Sequence, residues 1–175
     1  MSNEVETFLN TWENESKATI AMLKALPEGQ YDFRPDAGGR SLGELAWHLS
    51  EAEAYMTLGV ERGKLELGVR PPGIERPRTI PELATGYERV HNSAVQCVRT
   101  LTTADLNRKV TFFTGDQPTI REILWVYLLH HMIHHRGQLS VLCRLAGGCS
   151  PAPYGLNREQ AAAMREKMAA TAQSS

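Results

Sequence analysis

The sequence predicts an all-α protein, a four-helix bundle with crossover connections and a short C-terminal helix. Three observations carry that prediction. Apolar residues recur at helical spacing through four segments of roughly 20 or more residues. Three of those segments open with Ser or Thr followed three residues later by Glu, the pattern of a capping box. Strand signal is confined to one short stretch, and two of the loops are longer than up-and-down hairpins need.

The first helix is expected from about Glu4 to Leu26, with Val5, Phe8, Leu9, Trp12, Ile20, Leu23 and Leu26 on its apolar stripe and Pro27-Glu28-Gly29 as its stop. Residues 27–40 hold two prolines and three glycines and read as a loop. Ser41 and Glu44 form the first capping box. The helix from Leu42 to about Arg62 then turns Leu45, His48, Leu49, Ala52, Tyr55, Met56 and Gly59 inward. A long connection rich in Gly and Pro follows, of the kind that often covers an opening. Thr79 and Glu82 repeat the box, with Pro81 tolerated in the first turn of a third helix that runs to about Leu101. Residues 109–116 look extended, as a short turn-forming strand pair. Thr119 and Glu122 give the third box and open a fourth helix, Ile120 to about Leu145, ending at Gly147-Gly148. Asn157 caps a shorter helix from about Arg158 to Ala170.

A chain of 175 residues fits a single domain, 1–175, and can bury a real core. With 42% hydrophobic and 22% charged residues it has the composition of an ordered protein. Net charge is −1, from 19 basic and 20 acidic residues, so no basic footprint for nucleic acid is expected. Cys97, Cys143 and Cys149 are odd in number and lack CxxC pairing, which argues against a disulfide scaffold. The acidic start Met1-Ser2-Asn3-Glu4-Val5-Glu6 has no apolar signal core, and no stretch approaches the ~18 apolar residues of a membrane span. A cytoplasmic protein acting on a small molecule, away from membranes, is the expectation.

Chemistry concentrates in the fourth helix, in His130-His131-Met132-Ile133-His134-His135-Arg136-Gly137-Gln138. Residues four apart lie on one helical face, so His131/His135 and His130/His134 are each a pair able to grip one divalent ion. Both pairs have apolar neighbours, and periodicity does not choose between them. A third ligand must come from elsewhere, and His48 is the best candidate. Buried imidazoles without partners would each cost ~1–3 kcal/mol, which a shared metal avoids. Three nitrogens with an open position suit zinc or nickel, and also iron or copper. Position 132 is Met, so the Glu that serves as general base in helical zinc peptidases is missing.

Two stretches resemble the DinB-like family of DinB/YfiT-type metalloenzymes: Gly39-Arg40-Ser41-Leu42-Gly43-Glu44-Leu45-Ala46-Trp47-His48-Leu49, and His131-x-x-x-His135-Arg136-Gly137-Gln138-Leu139. The resemblance covers about residues 1–147 and leaves 151–175 as a C-terminal extension that packs across the bundle or joins a dimer contact. It implies a four-helix bundle with a crossover connection, a divalent metal held by His48, His131 and His135, and a homodimer. It also implies, among relatives, transferases and isomerases that use bacillithiol, mycothiol or glutathione. The function expected is therefore a metal-dependent enzyme such as a low-molecular-weight-thiol-dependent transferase. The alternatives are a metal-dependent hydrolase and a non-enzymatic, stress-related metal-binding protein.

Other residues have plainer expectations. Arg136 reads as a solvated helix charge, with carboxylate recognition as the alternative. Gln138 reads as a partner for a ligand imidazole or as helix packing. Glu44 is accounted for by its capping box. Trp47, Tyr55 and Tyr127 are core or pocket wall, and Cys97 and Cys143 are small core fillers. Cys149 has no neighbour that marks it as a nucleophile. Arg34, Arg70, Arg76 and Arg78 lie in the long loops, as solvated surface or facing an acidic cofactor at the bundle mouth.

Overall fold

The computed structural model describes residues 3–173. Its helices are α1 (Glu4–Lys24), α2 (Leu42–Arg62), α3 (Ile80–Arg99), α4 (residues 120–145) and α5 (Arg158–Gln173), with a 3₁₀ turn at Asp105–Asn107. No strand is present among the described residues. The extended stretch after residue 108 folds back on itself, Val110 N donating to Pro118 O and Phe112 N to Asp116 O, but pairing stops at isolated bridges.

Packing follows the ring order α1–α3–α2–α4: each of α1 and α2 lies against α3 and α4. Consecutive helices α1 and α2 are thus diagonal, as are α3 and α4, and the connections after residues 24 and 99 cross the bundle. The core is the expected one, filled by Phe8, Trp12, Leu23, Trp47, Leu49, Leu83, Tyr87, Leu124, Leu128 and Leu139. Trp47 settles over Gly86, where a Cβ on α3 would lie 2.7 Å from the indole. That close approach brings α3 against α2 one residue from His48.

The capping boxes at Ser41/Glu44 and Thr119/Glu122 form as predicted. The one at Thr79/Glu82 does not. Its hydroxyl donates to the Glu82 carboxylate at 2.5 Å instead of accepting a backbone N–H, so the two side chains satisfy each other. Pro81 has already removed one of the N–H groups that a cap would serve. Asn157 does cap α5, reciprocally with Gln160. That helix is tethered by the Arg144–Glu159 ion pair at 2.8 Å and leaves Met164 and Met168 exposed.

The fourth helix departs from the uniform α-helix expected of residues 120–145. Only Ile120–Glu122 and His131–Leu145 are α-helical, and Ile123–His130 is wound as a π-helix. The cause is visible in the burial pattern. Ile123 and Leu124 are buried, and so are Leu128 and Leu129, five residues on. A wider turn keeps both layers on the core side and turns Val126 and Tyr127 outward.

A buried polar group also joins the helices. Glu53 of α2 is fully buried and accepts from Trp12 Nε1 of α1 (3.1 Å), from the Tyr87 hydroxyl of α3 (2.5 Å) and from His91 Nδ1 of α3 (2.9 Å). One carboxylate thereby holds three helices in register.

Candidate metal centre

The capping box at Ser41 fixes where α2 begins, and His48 falls two turns into the helix. His131 is the first residue of α4 to resume α-helical winding, so His131 and His135 keep the four-residue spacing that stacks them on one face. Because α2 and α4 are neighbours in the ring, the three imidazoles meet. His48 Nε2 lies 3.2 Å from His131 Nε2, and one ring nitrogen from each of His48, His131 and His135 falls within 4.8 Å of the others. The ring centroids of His131 and His135 are 4.4 Å apart, and those of His48 and His135 4.7 Å.

This donor set fits a divalent cation. Metal–nitrogen bonds of about 2.0–2.1 Å at tetrahedral angles place ligand nitrogens about 3.3 Å apart, close to the His48–His131 separation. Two of the outer nitrogens have polar partners. His135 Nδ1 donates to Gln138 Oε1 at 2.7 Å, which leaves Nε2 as the atom with a free electron pair. The Glu51 carboxylate stands 3.7 Å from His48 Nδ1 and is itself held by Arg76 at 3.0 Å. Arg76 extends the chain to Glu44 (3.6 Å), and Glu44 to Arg34 (2.7 Å). Burial pushes the Glu51 carboxyl up, but His48 and Arg76 beside it outweigh burial and hold it below the usual carboxylate range.

Protonation of the cluster is disfavoured. Burial, then the neighbouring His135 and His48, hold the His131 imidazole down to about 4. His135 is lowered too, by burial first and against the opposing pull of Gln138. Neutral imidazoles are the form that ligates metal. A stability consequence follows for chelator-treated protein. An unfolded chain protonates His131 near pH 6.5, whereas the folded chain refuses that proton until about pH 4. His131 therefore subtracts stability progressively as pH falls from about 6.5 to about 4. Urea midpoints across that window should drop more steeply for wild type than for His131→Gln.

The centre forms part of an open cleft of about 1070 Å³ between α2, α4, the 63–79 loop and the hairpin that carries Phe112 and Phe113. His48 and His131 sit beside Tyr55, Met56 and Tyr127, with Arg40, Arg70, Arg76 and Arg78 around them.

The DinB family model matches residues 1–169. The chain belongs to the DinB family. That match runs past Pro151 into α5. The uncharacterized protein YrdA of Bacillus subtilis (strain 168) is 29% identical over 162 residues, covering 91% of this chain and 93% of its own. A crystal structure of a DinB-like protein from Bacillus cereus ATCC 10987 superposes with a TM-score of 0.71 at 29% identity, over 84% of this chain and 95% of that one. The DinB-like protein YjoA of Bacillus subtilis shares the fold, with a TM-score of 0.67 at 21% identity, over 84% and 96% of the two chains.

Among the histidines of this DinB-family chain, periodicity had left two pairs level. His131 and His135 face His48, while His130 and His134 are exposed, His134 accepting from the Gln138 amide at 3.1 Å. Glu44 caps α2 as expected and stays out of the cluster. Arg136 is a correction: only 4% exposed, it is neither solvated nor directed at the cleft. Its guanidinium donates to the Glu15 backbone oxygen (2.8 Å), the Glu15 carboxylate, Thr19 and Tyr154, tying α4 to α1. Sequence reasoning missed Glu51, although its position three residues after His48 puts it on the neighbouring surface of the same helix. It also missed Arg40.

Gln138 orients a ligand without touching the site. Gln138→Ala should weaken metal affinity by roughly 10–100-fold, the usual cost of losing such a partner, and a competitive chelator titration measures it.

Proposed function

We propose that His48, His131 and His135 hold a divalent metal ion, zinc or nickel, and that the protein is a metal-dependent transferase joining a low-molecular-weight thiol to a small electrophile. One observation supports this reading above others: the three imidazoles converge at the side of an open cleft, which His48 and His131 line, rather than in a sealed core. A structural metal site is typically closed by four protein ligands, whereas a site for chemistry keeps a position for a substrate. A divalent cation in this donor set supplies Lewis acidity, which lowers the proton affinity of a sulfur or oxygen donor.

The chain's own residues do the rest. Gln138 fixes the ring orientation of His135, and the Glu51 carboxylate stands 3.7 Å from His48 Nδ1. Tyr127 packs on Phe112 with centroids 4.9 Å apart and gives the cleft an aromatic wall. In the overall reaction a sulfur–carbon bond forms, the leaving group departs with its bonding electrons, and the thiol proton passes to solvent. The hydrolase reading needs a free general base. Glu51, which stands 3.7 Å from His48 Nδ1, is held ionised by His48 and Arg76, which makes it a weak base and disfavours that reading.

The test is a fluorescence assay with monobromobimane and a panel of bacillithiol, mycothiol and glutathione. Zinc- or nickel-loaded protein should accelerate at least one thiol above its uncatalysed rate, and His131→Ala and chelator-treated protein should not. Metal-loaded protein inert towards every thiol in the panel would overturn the transferase assignment.

A further inference from the structure

The cleft beside the histidines carries a charge that the chain as a whole does not. Net charge is −1, yet four guanidiniums, those of Arg40, Arg70, Arg76 and Arg78, line the cleft against the carboxylates of Glu51 and Glu75. Arg76 is occupied by Glu51 and Glu44. Arg40, Arg70 and Arg78 are exposed and make no ion pair or side-chain hydrogen bond among the described residues. They come from two separate loops, before α2 and before α3, and still converge on one opening. Arg40 lines the cleft together with His48 and His131.

Facing these donors is apolar surface left to solvent. Leu67 is 75% exposed, Phe113 45% and Tyr127 39%, and all three line the same cleft. Contiguous apolar surface rimmed by polar groups marks a binding site. A guanidinium presents a rigid fork of donors that matches a carboxylate or phosphate in two parallel hydrogen bonds.

We propose that the cleft selects a small dianionic acid, carboxylate or phosphate, on an apolar or aromatic body, with Arg40, Arg70 and Arg78 as the specificity-determining residues and Leu67, Phe113 and Tyr127 covering the body. This rests on the cleft being the substrate site of the proposed enzyme and names the class of molecule that enters it. A neutral ligand of the same shape leaves the three forks unmatched and is discriminated against.

Calorimetry on the full chain tests this, first chelator-treated and then reloaded with zinc. The probes are phenylsuccinate, phenyl phosphate, succinate and the neutral phenylsuccinamide. At least one aromatic dianion should bind the chelator-treated protein tenfold or more tightly than the diamide, and phenylsuccinate several-fold more tightly than succinate. The tighter of the two aromatic dianions identifies the headgroup. Arg40→Gln and Arg78→Gln should each remove most of the preference while leaving the melting temperature unchanged, because both side chains are exposed. Equal binding of dianions and diamide overturns the proposal. So does a preference that survives replacement of all three arginines by Gln, or one that arises only after zinc is restored, since the cation would then be the anion receptor. The metal reading fails separately, if zinc does not load while the preference in chelator-treated protein stands.

Discussion

His131→Ala is expected to strip the protein of its metal. Wild type purified without a metal-affinity tag should carry close to one zinc or nickel per chain by elemental analysis, and the variant a small fraction of that. His131 supplies a nitrogen 3.2 Å from His48 Nε2, and without it His48 and His135 remain as a two-ligand site. Losing a mere hydrogen-bond partner of a ligand costs roughly 10–100-fold in affinity, so losing a ligand should cost more. Binding to the folded state alone stabilises by about 4 kcal/mol at a thousandfold excess over Kd. Added zinc should therefore raise the melting temperature of wild type and leave that of His131→Ala unchanged. His130→Ala, which removes an exposed imidazole outside the cluster, should keep both metal and melting shift. Equal metal content in His131→Ala and wild type would refute the ligand assignment.

Glu53→Ala should be the most destabilising single substitution among the polar residues. It strands Trp12 Nε1, the Tyr87 hydroxyl and His91 Nδ1, all on buried residues. Each unsatisfied buried donor costs about 1–3 kcal/mol, and removing one partner of a buried polar cluster typically costs about 3–5 kcal/mol. Urea unfolding should show a loss in that range. Glu53→Gln keeps an acceptor oxygen and should lose less. Metal content should persist in the folded fraction of both variants, because Glu53 touches no member of the histidine cluster. A loss below about 1 kcal/mol for Glu53→Ala would mean that the three donors find other partners.

The helices were legible because their signals are local. Capping residues and the 3.6-residue repeat act within a few positions, and the Ser41 and Thr119 boxes and the stripe of α2 emerged as read. His48 was legible as a candidate from its apolar face. Periodicity could not choose between His131/His135 and His130/His134, because that depends on how α4 is rotated about its axis; only the resemblance of His131-x-x-x-His135-Arg136-Gly137-Gln138 to the DinB-like pattern pointed to the first pair. Packing of Leu128, Met132 and Leu139 sets that rotation. Arg136 was misread for a related reason. A charge in a helix looks solvated unless its distant partner is known, and Glu15 lies 121 positions away. Glu53 left a trace that could be followed. It continues the four-residue series of Leu45 and Leu49, where an acid breaks an otherwise apolar line. Convergence of Arg40, Arg70 and Arg78 on one cleft is set by loop paths that no short-range pattern specifies.

The π-wound stretch of α4 gives the site a vulnerability of its own. A regular helix advances about 100° per residue, so its two ends are locked in phase. Eight residues of wider winding act as a phase shifter between the Thr119 cap and His131. Tyr127 can then look into the cleft while Leu128 and Leu129 stay in the core. Removing a single residue from that stretch, at Val126 for example, would let it relax to ordinary winding. The core could be refilled, but the aromatic wall and the imidazoles would no longer share a bearing.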